Sequence, residues 1–159
     1  MDMDIIGERG EALFRVAITQ WCGGEPWFRV AFLGDKAEGL DFMVVPLETT
    51  VFEAMCFVQV KSTAKKVRYS GTGKARRLLV TLTKQDAMKL GTMKMPAYVV
   101  GIDVIEDKVY IRHVPYGTKK GFKSISVRSP LNCATIRRLW NEVNDFWEDQ
   151  SSGLGTSDF

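Results

Sequence analysis

Apolar positions recur at helical steps in Leu13, Phe14, Ala17, Ile18 and Trp21, which predicts an amphipathic helix from Ile6 to Trp21. Glu8 and Glu11 fall in its early turns, where carboxylates suit the positive end of the helix dipole, and Cys22-Gly23-Gly24 stops it. Strand patterns follow at Trp27–Leu33, Leu40–Val45 (LDFMVV) and Met55–Val60 (MCFVQV). The last two are dense enough in apolar residues to read as strands buried on both faces. Leu78–Leu82 (LLVTL) is a further short strand. Thr83 then opens a short helix to Leu90, with Asp86 in a capping-box position and Gly91 as its stop. Ala97–Ile105 and Val109–Val114 read as a hairpin turning near Glu106-Asp107. From Cys133 to Glu148, Ile136, Leu139, Trp140, Val143, Phe146 and Trp147 form one apolar stripe, with Asn132 placed to cap that helix.

This order predicts an α/β fold: a mixed central sheet flanked by helices, with an extra hairpin and a C-terminal helix. The stretch from Met55 through the Thr83 helix to Tyr98 has the makings of a β-α-β crossover. No repeat or linker divides the chain, so one domain is expected over 1–149. The Gly/Ser-rich tail 150–159 is expected to be disordered. At 159 residues and 45% hydrophobic content, one core is affordable.

Cys22, Cys56 and Cys133 are far apart, and with the single His113 they make no zinc-ligand set. Cys56 and Cys133 sit among apolar residues and read as buried free thiols, which suits a reducing cytosol. The opening MDMDIIGERGE carries acids where a signal peptide needs a basic and then an apolar region, and no apolar run is long enough to span a bilayer. A soluble, cytoplasmic protein is expected.

Candidate chemistry centres on FVQVKST, Phe57 to Thr63. Side chains two apart on a strand share a face at about 7 Å. Gln59 and Lys61 therefore project together, while Val58 and Val60 face the opposite layer. An amide and an ammonium in so apolar a strand need partners. If the preceding strand forms a hairpin centred near Thr50, Asp41 falls opposite Gln59 on the same face. Asp41, the amide oxygen of Gln59 and the carbonyl of Val60 are hard oxygen donors for Mg²⁺ or Mn²⁺, with Glu11 approaching from the first helix. Lys61 can stabilise a developing oxyanion.

Charge adds a second signal. Lys61 to Arg77 contains seven basic residues and no acid: Lys61, Lys65, Lys66, Arg68, Lys74, Arg76 and Arg77. Tyr69 is interleaved and can stack on a base, and Gly71 and Gly73 allow close approach to a phosphate backbone. A weaker basic stretch runs from Lys119 to Arg128. GTGK, Gly71 to Lys74, is not a P-loop: Arg68 stands where the first glycine belongs, and Ala75 where Ser or Thr must hold the cation.

GERGEALF, EGLDFMVV and FVQVKST together resemble the PD-(D/E)XK nuclease superfamily, in the branch with a glutamine in the last motif, as in Mrr-type restriction enzymes. The chain is also similar to a family of small bacterial domains of unknown function within that superfamily. The resemblance spans roughly Ile6 to Val114 and implies a restriction-endonuclease-like core of helix, three strands, helix and strand. By that resemblance Glu11 matches the helix glutamate, Asp41 the metal aspartate, Gln59 the usual acid and Lys61 the catalytic lysine. Gln59 departs from the commoner carboxylate, removing one negative charge from the metal set.

The resulting expectation is a divalent-metal-dependent nuclease acting on DNA before RNA, with a defence or repair role, alone, as a homodimer or with a partner protein. Lys65, Lys66, Arg68, Tyr69, Lys74, Arg76 and Arg77 are the expected nucleic-acid contacts. The alternatives are a non-catalytic nucleic-acid-binding or partner-binding domain on the same fold. Lys61 also fits an edge-strand lysine, Asp41 a turn residue, and Glu8 could stand in for Glu11.

Overall fold

The computed structural model describes residues 2–34 and 38–150. The expected disorder of the tail lies outside the described residues beyond Gln150. Three helices, α1 (Met3–Ile18), α2 (Lys84–Gly91) and α3 (Cys133–Asp149), flank a five-stranded mixed sheet. Its strands are β1 (Phe28–Phe32), β2 (Phe42–Pro46), β3 (Cys56–Thr63), β6 (Ala97–Asp103) and β7 (Lys108–His113), in the order β1-β2-β3-β6-β7. β1, β2 and β3 are antiparallel neighbours, β3 and β6 run parallel through the α2 connection, and β6 and β7 form an antiparallel hairpin. A second, three-stranded sheet joins β4 (Tyr69–Ser70), β5 (Arg77–Leu78) and β8 (Ile125–Ser126) in the order β4-β5-β8.

Two apolar layers sandwich the main sheet. On one side Ile6, Phe14 and Ile18 of α1 and Ile136, Leu139 and Val143 of α3 cover Phe42, Val44, Val58, Val100 and Ile102. On the other, Ala87 and Leu90 of α2 and Leu78, Val80 and Ile125 around the small sheet cover Ala97 and Val99. β6 is buried at every position, as a central parallel strand must be. Gly101 makes room for this second layer: a Cβ there would press on Ile125 and Val80.

β2 was expected to be buried on both faces, yet it alternates between buried and half-buried positions. The second layer is small and gathers over β6, so the far face of β2 and the end of β3 stay partly open. α1 starts at Met3 rather than Ile6, because the Asp2 carboxylate caps the Asp4 N–H, and it ends at Ile18. Trp21 is therefore outside the helix and exposed. The Leu78–Leu82 strand is shorter than its pattern: only Arg77–Leu78 pairs continuously, and Leu82 returns as a single bridge to Phe122. The Thr83 and Asn132 caps form as the sequence indicates, to the N–H groups of Asp86 and Thr135.

Cys133 is not a free thiol. It forms a disulfide with Cys22, tying the end of α1 to the start of α3. Cys56 is the buried free cysteine. The disulfide removes the argument for a reducing compartment from cysteine usage. Among the described residues no helix is long and apolar enough to cross a membrane.

Asp103, at the end of β6, is fully buried, and its Oδ1 accepts the N–H groups of Ile105 and Glu106 in the β6–β7 turn. Arg68 Nε stands 2.8 Å from the same oxygen. Burial alone would raise the Asp103 carboxyl; the Arg68 guanidinium and the two amides outweigh it and hold it below the usual range. Its stabilising contribution is therefore complete above about pH 4 and is lost as the pH falls through the lower folded value. Asp103→Ala is expected to lower stability by about 3 kcal/mol at neutral pH, from urea unfolding. The gap from wild type should narrow on acidification to about pH 2; a gap independent of pH would contradict this assignment.

Candidate functional site

The β2–β3 register pairs Phe42 with Val58, Met43 with Phe57 and Val44 with Cys56. The pairing ends there, and Asp41, which the hairpin reading of the sequence sets opposite Gln59, bonds instead to the β3 residues on either side of it. Asp41 N–H donates to the Val58 carbonyl at 3.1 Å, and Val60 N–H donates to Asp41 Oδ2 at 2.5 Å. Val58 and Val60 pack into the α1–α3 layer. By the alternation of a strand, Gln59 and Lys61 then share the opposite face. The N–H and C=O of one strand residue point to the same side, so the Val60 carbonyl also faces Asp41.

α2 supplies a residue that the sequence reading assigned only to helix capping. Asp86 Oδ2 accepts Lys61 Nζ at 3.0 Å, with both side chains about three-quarters or more buried. Burial raises the Asp86 carboxyl, but Lys61, the Thr83 hydroxyl and the Gln59 amide outweigh it and leave it below its ordinary value. The capping box is thus half used: Thr83 Oγ1 accepts Asp86 N–H at 3.1 Å, while the Asp86 side chain turns to the sheet. The signal for this pairing was the unpaired lysine of β3 together with an acid on the α-helix between β3 and β6.

Glu11 reaches the same neighbourhood from α1. Gly10 allows it, because a Cβ at residue 10 would collide with the Ser62 side chain, so the helix lies close upon β3 at Val60–Ser62. Burial, then the Asp41 charge, pushes the Glu11 carboxyl up, against the pull of Arg15. Asp41 is raised too: burial dominates, Asp86 adds to it, and the Val60 amide and Lys61 oppose it. Glu8 is exposed and acts on Glu11 only as a neighbouring charge.

A divalent cation here would need neutral oxygens as well as carboxylates. Among the described residues no three His, Cys, Asp or Glu side chains group closely enough to hold a metal alone. Gln59 Oε1, however, is buried with no hydrogen-bond partner. The carboxylate its amide reaches is Asp86, and a buried amide oxygen without a partner is a group that a hard cation or another donor would relieve.

The basic segment divides in two. Lys65, Lys66, Lys74 and Arg76 are exposed. Arg68 and Tyr69, expected to contact nucleic acid, face inward instead. Arg68 is committed to Asp103 and Glu106, and the buried Tyr69 hydroxyl turns toward Tyr110 and Asp103 while Arg76 stacks over its ring at 4.1 Å. The Asp103 pairing explains both, since a fully buried carboxylate must draw cations and donors to itself. The Lys119–Arg128 stretch lies alongside: Arg77 pairs with Ser126, and Arg128 Nε donates to the Lys74 carbonyl at 3.0 Å.

A raised carboxyl contributes stability below its unfolded value and loses it as the pH rises through the folded one. Ionised Asp41 should therefore cost stability at neutral pH, and Asn keeps an acceptor for the Val60 N–H. Asp41→Asn is expected to raise the melting temperature in EDTA at pH 7 by about 2–4 °C. That gain should shrink toward about pH 4, by scanning calorimetry. A lowered midpoint at pH 7 would contradict the assignment.

No family model matches the sequence, and no curated protein does. Among solved structures the chain is similar to a bacterial homing endonuclease, I-Ssp6803I, with 17% sequence identity and a TM-score of 0.46 over 96% of this chain and 99% of that one. At that identity and score the likeness is one of outline and fixes neither residue roles nor a reaction.

Proposed function

We propose that the protein is a divalent-cation-dependent nuclease that hydrolyses phosphodiester bonds of DNA on a restriction-endonuclease-like core. The observation that supports this reading is the Asp41 carboxylate held on the β3 backbone at Val60, next to the Lys61–Asp86 pair and a segment that exposes four cations. A bound Mg²⁺ or Mn²⁺ supplies Lewis acidity and charge neutralisation at the phosphodiester. Asp41, Glu11 and the carbonyls of Gln59 and Val60 are the residues that would hold it.

The chain's own groups then divide the work. Lys61 stabilises the charge that grows on the phosphoryl oxygens as water attacks phosphorus and the P–O bond to the leaving strand breaks. Asp86 is a positioning residue: it fixes the ammonium where it is needed. Lys65, Lys66, Lys74 and Arg76 bind the strand through phosphates, so affinity should fall steeply with salt. One observation favours a second reading, a binder without catalysis. Gln59 takes the place of a carboxylate, and the Lys61 charge is already neutralised by Asp86.

Incubation of supercoiled plasmid, linear DNA, single-stranded DNA and RNA with Mg²⁺ or Mn²⁺ separates the two. The nuclease reading expects cation-dependent nicking that falls by about a hundredfold or more in Asp41→Ala and Lys61→Ala. Asp86→Asn should lower kcat by about tenfold with KM for DNA little changed, because it acts through Lys61. Salt-sensitive binding with no cutting by the wild type would leave the binder.

A further inference from the structure

A separate cavity of about 450 Å³ lies at the other edge of the main sheet, walled by β7, the β5–β8 strands and α3. It shares no residue with the Asp41 site. Arg77, Arg112 and Arg138 line it, one from each wall. Arg77 donates from Nε to Ser124 Oγ at 2.7 Å and from Nη2 to the Ser124 carbonyl at 3.1 Å. Arg112 Nη1 is 3.4 Å from the same carbonyl, and its guanidinium stacks over Phe122 at 4.1 Å. Two guanidiniums are thus fixed against a single neutral oxygen.

None of the three arginines has an ion-pair partner among the described residues. Desolvation and the Arg77 charge both pull the Arg112 pKa down. Glu142 is the acid of this wall, and its Oε1 is taken by the Tyr98 hydroxyl at 2.6 Å. Like charges held together without a counter-ion cost stability, and the fixed planar fork of arginine is suited to phosphate oxygens.

Tyr98, His113 and Glu142 also border a second cavity of about 870 Å³, so the two open onto the same rim. The second is mostly apolar, with Met93, Pro96, Phe146 and the exposed Tyr116 in its lining. A charged half and an aromatic half side by side match the two halves of a nucleotide.

We propose that this groove binds a nucleotide unit, its phosphate against Arg77, Arg112 and Arg138 and its base against the Tyr116–Phe146 cavity. The same chemistry is offered by a free nucleotide or by one residue of a nucleic-acid strand. The site is independent of the nuclease reading and survives its failure.

Calorimetric and NMR titrations of the full chain, with thymidine 5′-monophosphate, inorganic phosphate and a short single-stranded oligonucleotide, test it. The monophosphate should bind more tightly than inorganic phosphate and shift the amides of Arg112, His113 and Arg138, with the Asp41→Ala variant unaffected. Arg138→Gln, on the exposed face of α3, should weaken monophosphate binding by about tenfold with melting unchanged. Tyr116→Ala should weaken the monophosphate and leave inorganic phosphate alone. Oligonucleotide that competes with the monophosphate identifies a strand as the source; monophosphate binding without competition identifies a free nucleotide. Equal affinity for phosphate and monophosphate, no binding of either, or shifts unaltered by Arg138→Gln would overturn the proposal.

Discussion

An amide and an ammonium stand on a strand that is otherwise buried, and the arrangement around β3 answers that constraint. Gln59 and Lys61 cannot be left unpaired against the second layer without a cost of several kcal/mol, about the margin of a domain's stability. α2 meets the need by presenting Asp86, which takes Lys61 and the Gln59 amide together. The loop before β2 contributes Asp41, whose carboxylate replaces a missing strand neighbour for the Val60 N–H. The side-chain amide oxygen of Gln59 is left buried without a hydrogen-bond partner.

The same logic governs the basic segment. A run of seven cations with no acid would not hold a shape unaided. Asp103 draws Arg68 and Tyr69 inward and fixes the chain just after β3, and pairing of β5 with β8 sets the second basic stretch beside the first. Fewer side chains remain to meet a phosphate backbone than the sequence suggests, but those that do are carried on an anchored frame. Asp103 thus orders the surface while the exposed lysines keep their charges free.

Where periodicity and capping chemistry acted together, the sequence was legible. The helix at Lys84–Gly91, the helix at Cys133–Asp149 and the Ala97–His113 hairpin follow from local rules, and one register choice sufficed to pair Phe42–Val44 with Cys56–Val58. Partnerships made across long sequence separations were not legible. Asp86 looked like a cap because its position satisfies one; only the packing of α2 on the sheet shows its second partner. Asp103 offered no local sign that it would meet Arg68. The two-residue strands β4, β5 and β8 are too short to leave a period, and the Cys22–Cys133 bridge joins residues 111 apart. The arginine cavity escaped for the same reason, since its walls come from three distant segments.

Mn²⁺ titration of the ¹⁵N-labelled protein, followed by paramagnetic broadening of backbone amides, tests the proposed cation site at Asp41 most directly. The account predicts saturable, selective loss of the Asp41, Val60, Lys61 and Glu11 signals, reversed by EDTA and absent in Asp41→Asn. Uniform broadening, or broadening centred elsewhere and indifferent to that substitution, would contradict it.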